Sequence, residues 1–157
     1  MTTTIQIAPV RKSVVVQASP ERAFEVFTAG INRWWPKSHG IGKAPIRESF
    51  IEPYAGGRWY TKCEDGTDVV VGHVRIWQPP ERLVMSFEVT ADFKPEPRPA
   101  FASEVEVHFV ALPQGQTRVE VEHRDFERMG AAAGEKMQGA VQGWAALLEL
   151  FAKQVAA

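Results

Sequence analysis

Few side chains in this sequence can do acid–base or nucleophilic chemistry. They are His39, His73, His108, His123 and Cys63, with Glu48 and Asp125 as the carboxylates whose spacing matters. His123 follows Val119 and Val121 at intervals of two, the period at which strand residues share a face. If the strand runs unbroken, His123 points with the valines toward the interior, where an imidazole needs hydrogen-bond partners. Asp125 keeps the same parity and would lie near the mouth of an interior space. Glu48 alternates with Ile46 and Phe50, which gives it an inward heading as well. An inward carboxylate with a histidine is the most economical acid–base pair available. The spacing does not bring the two together, and His123 reads equally as a hydrogen-bonded core residue.

The remaining candidates carry less. There is no G-x-S-x-G elbow, no H-E-x-x-H and no glycine-rich phosphate loop of the required form. Gly40-Ile41-Gly42 is not followed by the helix that a phosphate cradle uses. Cys63 lies on an expected strand and reads as a small buried filler. The four histidines show no paired ligand spacing, so neither a metal site nor a cofactor is expected. His108 sits opposite the valine face of its strand and is expected in solvent. No residue is assigned a catalytic role, and an enzymatic reading stays open only as an alternative.

The elements that must position these groups are legible. Val10–Ala18 contains a β-branched run typical of a strand. Ser19 suits a helix N-cap and Pro20 the first helical position. Ala23, Val26 and Phe27 share one face of the short helix that follows, which Gly30 ends. Ile31, Trp34 and Trp35 form a second helical turn, stopped by Pro36. Strands are expected at Pro45–Glu52, Gly57–Cys63, Val69–Trp77 and Arg82–Val89, separated by Ala55-Gly56-Gly57, Asp65-Gly66 and Pro79-Pro80. Thr90–Ala100 is a proline-rich loop. Two strands of clean alternation follow: Val105, Val107 and Phe109 share one face of the first, Val119 and Val121 one face of the second. From about Ala132 to Val155, Met137, Val141, Trp144, Leu148, Phe151 and Val155 recur at intervals of four and three, the stripe of an amphipathic helix. Gly134, Gly139 and Gly143 imply close packing or a local bend there. Gly72, inside a strand, implies a bulge or a close backbone approach.

Length and balance bound the class. The chain has 157 residues, 45% hydrophobic and 24% charged, with 18 basic against 19 acidic side chains. That is one domain of ordinary globular composition, with residues 1–9 as a flexible N-terminus and 10–157 as the folded unit. The even charge balance argues against a nucleic-acid partner. A single cysteine fits a reducing, cytoplasmic setting, and neither a signal peptide nor a membrane span is visible. The order of strand, two short helices, six strands and a long helix favours an antiparallel meander.

The segment ASPERAFEVFTAGINRWWP resembles the opening of the START-like, or SRPBCC, superfamily, whose helix-grip fold is shared with the birch-pollen allergen. More narrowly, the chain resembles the family named after the C-terminal domain of the activator of heat-shock protein 90 ATPase. The matching motifs are Trp34-Trp35, the strand start Gly56-Gly57-Arg58-Trp59, the hairpin Asp65-Gly66, Gly72-His73-Val74 running to Pro79-Pro80, and Gly143-Trp144 with Leu147 and Leu148. The resemblance covers the chain from about Val10 onward. It implies an α+β helix-grip fold: a curved antiparallel sheet of about seven strands, two short helices after the first strand, and a long C-terminal helix across the concave face.

The fold implied by the resemblance tips the reading toward a cavity under that helix. Its apolar candidates are Trp34, Trp35 and Trp59 from the first half, Met85 and Phe87 from one strand, and Val107, Phe109 and Val121 from the last two. Val141, Trp144, Leu148 and Phe151 would form the helix wall, with His123 and Glu48 holding a polar end. The expected function is binding of a small hydrophobic or amphipathic molecule. The family name implies a second reading, a chaperone-associated or stress-response interaction module, which calls for an exposed apolar patch around Ile41, Trp34 and Trp35. Superfamily relatives imply a third, a cyclase- or hydrolase-like enzyme using the same hollow. Pairing into a homodimer through sheet edges is also open.

Overall fold

The computed structural model describes residues 6–157. Strand β1 (Val10–Val16) leads into the cap forecast from sequence. Ser19, in extended conformation, accepts the Arg22 amide at 3.2 Å, and Pro20 opens helix α1 (Pro20–Phe27). The cap satisfies one of the free amides at the helix start, and proline there gives up no bond. Helix α1 buries Ala23, Phe24, Val26 and Phe27. Helix α2 (Ile31–Trp34) follows at once, and the indole of Trp34 donates to the Val26 carbonyl at 3.0 Å, tying the two helices together.

The sheet then builds as a meander of β2 (Ile46–Ile51), β3 (Arg58–Cys63), β4 (Asp68–Gln78), β5 (Arg82–Phe87), β6 (Ser103–Ala111) and β7 (Thr117–Arg124). All pairings are antiparallel, in the order β1-β7-β6-β5-β4-β3-β2. The first strand therefore closes one edge beside the last, while α1 and α2 carry the chain across the open side to the opposite edge. The Asp65-Gly66 hairpin forms as expected: Gly66 has φ +87°, and Asp65 accepts from both the amide and the hydroxyl of Thr67. That pair of bonds lowers the Asp65 carboxyl below its ordinary range.

Curvature is concentrated in one half of the sheet. Register breaks lie at Ile46/Glu48 between β2 and β3, at Trp59/Tyr60 between β3 and β4, and at Val74/Ile76 between β4 and β5. The ladders joining β5, β6, β7 and β1 run without a break. Bulges bend a strand and increase its twist, so these three curl the β2–β4 half around the helices into a half-barrel. Gly72 sits where β4 and β5 approach most tightly. A Cβ built there would stand 1.8 Å from the Ser86 carbonyl oxygen, so no other residue fits without moving the backbone.

The bulge in β2 corrects the expectation for Glu48. It shifts the strand by one residue, so Ser49 and Ile51 face inward, while Glu48 and Phe50 lie on the outer side, both half-buried. Phe50 stacks there on Tyr60, with the Arg58 guanidinium over the Tyr60 ring. Alternation read from an unbroken strand gave the wrong parity.

The outer face of the unbroken half carries an ion-pair lattice. Arg124 donates to Glu104 at 2.6 Å and to Glu106 at 2.5 Å, and Arg82 donates to Glu106 at 2.7 Å. Burial alone would raise the Glu106 carboxyl, but Arg82, Arg124 and His108 hold it down at about 2.

The expected long helical run closes the chain, with a local tightening of the kind its glycines implied. Helix α3 (Ala131–Ala140) passes through a tight 3-10 turn (Val141–Gly143) into α4 (Trp144–Ala156). Gly134 packs on backbone, since an added Cβ would meet the Phe126 carbonyl at 2.4 Å. Gly139 lies just before the tightened turn and Gly143 ends it, and a Cβ at either would meet nothing within 4 Å among the described residues. Helix α4 buries Trp144, Leu147, Leu148, Phe151 and Val155 against α1, α2 and β1. Of the expected flexible N-terminus, residues 1–5 lie outside the described residues. The Ile7 amide donates to the Glu127 carboxylate at 2.6 Å.

Two alanine substitutions test these glycine roles. Gly72→Ala is expected to cost about 3 kcal/mol or more in urea unfolding, through the β4–β5 clash. Gly139→Ala, exposed within a helix, is expected to gain about 0.5–1 kcal/mol.

Candidate ligand cavity

The interior is filled unevenly. At the C-terminal end of α4, aromatic rings leave little space: Phe151 meets Phe27 and Trp34 edge-on at 5.5 Å each, and Phe109 packs on Phe24 and Phe27. Met85, Val107, Val121 and Leu148 are buried to 2% exposure or less. At the other end, where the 3-10 turn joins α3 to α4, a cavity of about 330 Å³ opens. Its helix wall is Ala140, Val141, Gly143, Trp144 and Leu147. Its sheet wall is Val71, Phe87 and Val89, and its rim is Trp35, Ser38, His39, Gly40, Ile41 and Phe93.

Four of the side chains expected from sequence line this space: Trp35, Phe87, Val141 and Trp144. Trp59 forms a layer behind it, edge-on to Trp35 at 5.4 Å and against Phe87 at 5.8 Å. Its indole N–H and the Ser49 hydroxyl are buried with no partner among the described residues. Trp34, Phe109 and Phe151 belong to the packed aromatic end, and Met85, Val107, Val121 and Leu148 are buried core residues that do not line the cavity. Glu48 lies on the outer face and meets neither the cavity nor His123. Asp125 is not at the mouth, because β7 ends at Arg124; Asp125 turns to φ +67° and pairs with Arg128 at 3.4 Å.

His123 points inward, as its parity required, and is fully buried. The Trp144 indole, which can only donate, gives its hydrogen to Nδ1 at 3.2 Å. The ring hydrogen therefore sits on Nε2 and is donated to Ser103 Oγ at 2.8 Å. Phe87 and Phe126 pack against the ring at 4.8 Å and 5.0 Å. Burial pushes the imidazole down from 6.5 to about 3. Both nitrogens are occupied by protein partners, so His123 acts as a pin that fixes the rotamer of Trp144 in the cavity wall.

The polar side chains lining the cavity are Ser38 and His39, whose Oγ and Nδ1 stand 3.4 Å apart. His39 also meets Trp35 edge-on at 6.2 Å. His39 lacks a partner at ligand spacing, so the loop carries no pattern; the signal available was its place four residues after Trp35. Ile41, Trp34 and Trp35 are all buried, so the exposed patch anticipated there is absent. Cys63 is a buried strand residue, as expected. Among the described residues no cluster of histidine, cysteine and carboxylate groups has the arrangement to hold a metal, and no helix is long and apolar enough to cross a membrane.

A half-barrel sheet gripping a C-terminal helical run, with a hollow beneath its bend, defines an SRPBCC-type domain. The chain belongs to the family of activator of Hsp90 ATPase homolog 1-like proteins, whose pattern matches residues 17–156. Among solved structures it is similar to an anthrahydroquino-γ-pyrone synthase, Txn09, at 40% identity over 94% of this chain and 97% of that one, with a TM-score of 0.66. It is also similar to CalC, a self-sacrificing resistance protein from Micromonospora echinospora, at 32% identity over 94% and 93%, with a TM-score of 0.68. A Mesorhizobium loti protein at 20% identity, covering 95% and 96% with a TM-score of 0.64, shares the fold. No curated protein matches the chain.

The pin role of His123 has a pH signature. An unfolded chain takes up a proton near pH 6.5 that the folded protein refuses until about pH 3. Folded stability should therefore fall as pH drops through that window, by roughly 1 kcal/mol per pH unit from this group. Urea melts of His123→Gln should show a shallower decline over the same range. His123→Ala, which strands the Trp144 N–H and Ser103, should cost about 2–4 kcal/mol at neutral pH.

Proposed function

We propose that this protein is a small-molecule-binding domain that holds a hydrophobic or amphipathic ligand between the sheet and the α3–α4 bend. The observation that carries this reading is the hollow itself. It is mostly apolar, has a polar rim at Ser38 and His39, and lies in the range of about 300–1,000 Å³ typical of small-ligand sites. The 40% identity to a synthase solved as a ligand complex supports it. Trp144 and Leu147 form the helix wall, and Trp35 covers one side. The packed aromatic end supplies the rigidity that keeps the opposite end open.

A second reading, a cyclase-like enzyme, is favoured by the same relative and by the placement of His39 on the rim. A histidine that both touches a ligand and reaches solvent can pass a proton between them. The two readings separate on His39→Ala: a binder loses about tenfold or less in affinity, the value of one hydrogen bond, whereas an enzyme loses turnover of a bound substrate by about 100-fold or more. The chaperone-associated reading receives less support, since Ile41, Trp34 and Trp35 are buried rather than presented to a partner.

Native mass spectrometry after incubation with hydroxylated polycyclic aromatics and with fatty acids tests the reading. One saturable adduct per chain is expected, with a raised melting temperature. Val141→Trp, which enlarges a buried side chain of the helix wall, should reduce the adduct, with circular dichroism checking that the fold persists. Absence of any adduct across the panel would remove the proposal.

A further inference from the structure

We infer that the cavity selects a planar aromatic molecule and that Phe93 is the residue that closes against it. This inference rests on the ligand-holding reading above and assigns that ligand a class and a contact. Four of the lining side chains, Trp35, Phe87, Phe93 and Trp144, are aromatic. They approach from the α2 loop, β5, the Thr90–Lys94 turn and α4, so a flat molecule entering the hollow meets ring surface from several directions. Aromatic rings gain from edge and offset contacts with other rings beyond the area they cover, a gain that a saturated chain does not offer. Ser38 and His39 supply hydrogen-bonding groups on one side, suited to a phenol or quinone oxygen at a ring edge.

Phe93 itself is the odd member. Its φ is +59°, a left-handed conformation that is strained for a bulky residue and that glycine adopts freely. Its side chain is 44% exposed although it lies beside an apolar hollow. The left-handed backbone closes the turn through the Phe93 amide, but that bond would form with glycine as well, and the 44% exposure of the residue leaves the choice of a phenyl ring unexplained by burial. A ligand in the cavity supplies the reason, because it would cover that ring. Strained backbone of this kind is a recognised feature of ligand clamps.

The turn carrying Phe93 is hydrogen-bonded at its base and at its tip, where the Phe93 amide donates to the Thr90 carbonyl at 2.9 Å and the Lys94 amide to Thr90 Oγ1 at 3.1 Å. The Thr90 amide donates to the Lys94 carbonyl at 2.7 Å, Val89 bridges to Pro95, and the Glu96 amide donates to Glu88 at 2.9 Å. Beyond this base, Asp92 reaches Lys136 on α3 through an ion pair of 2.6 Å whose side chains are both largely exposed. Exposed pairs are weak and screened by salt. The turn's own bonds therefore hold the Phe93 ring at the mouth, and the exposed Asp92–Lys136 pair adds little to them.

The experiment compares alizarin, a planar dihydroxyanthraquinone, with laurate, a saturated amphiphile, by calorimetric titration of wild type, Phe93→Ala, Phe93→Gly and Phe93→Tyr. Wild type should prefer alizarin. Phe93→Ala and Phe93→Gly should each weaken alizarin by about tenfold and laurate, which loses apolar contact only, by clearly less, while Phe93→Tyr retains alizarin binding. Phe93→Gly should also raise the melting temperature by removing the strain, which separates the loss of affinity from any loss of folding. Equal alizarin affinity in wild type and Phe93→Ala would overturn the role of Phe93 and leave the ligand-holding reading intact. Preference of wild type for laurate would overturn the aromatic class alone. Binding of neither probe would overturn the ligand-holding reading and this inference with it.

Discussion

The structure depends on how one helical run seats on a bent sheet. Trp144 is the fixed point: its indole is hydrogen-bonded to a neutral, buried His123, which in turn donates to Ser103 on the neighbouring strand. This chain of two bonds links α4, β7 and β6. On one side of it, α4 lays Leu148 and Phe151 into a close aromatic cluster with α1 and α2. On the other, the 3-10 turn and α3 stand over free volume. Polar groups in an apolar interior are costly when unpaired and orienting when fully paired. His123 is the paired case, and it stands between the packed aromatic cluster and the cavity of about 330 Å³ beneath the bend.

The bent sheet is as much a matter of backbone as of side chains. Three register breaks fall in the half formed by β2, β3 and β4, where the sheet must wrap, and none falls in the ladders from β5 to β1. The regular half can therefore support an ordered lattice of Arg82, Arg124, Glu104 and Glu106 on its outer surface. The irregular half brings Val71, beside the β4 bulge, to the cavity wall. Gly72 allows both, since it lets β4 lie close enough to β5 for the ladder to resume beyond the bulge.

Most of the architecture was legible because it rests on periodicity and turn chemistry. The Ser19-Pro20 cap, the Asp65-Gly66 hairpin, the alternation in β6 and β7 and the stripe on the last helix all reappear where their residues placed them. Gly72 marked its own strained approach. What escaped was whatever depends on a one-residue shift or on volume. The bulge before Glu48 inverts the parity of β2, and no residue type announces it. Trp35, Phe87, Val141 and Trp144 were named together with Met85, Val107 and Phe151 because apolar residues look alike whether they line a hollow or fill a core. His39 and Phe93 were passed over because both sit in loops, where periodicity carries no information.

The pairing of β1 with β7 has a consequence for how the chain is made. Val10 faces His123 and Val16 faces Thr117 in that ladder, so the first strand of this sheet to be synthesised waits for the last. During that interval the apolar faces of α1 and α2 have neither sheet nor closing helix to cover them. Long-range closure of this kind is slow compared with local hairpin formation and leaves sticky surface exposed. The meander from β2 to β6 can assemble on its own schedule, but the nascent polypeptide stays an open trough until its final third has emerged.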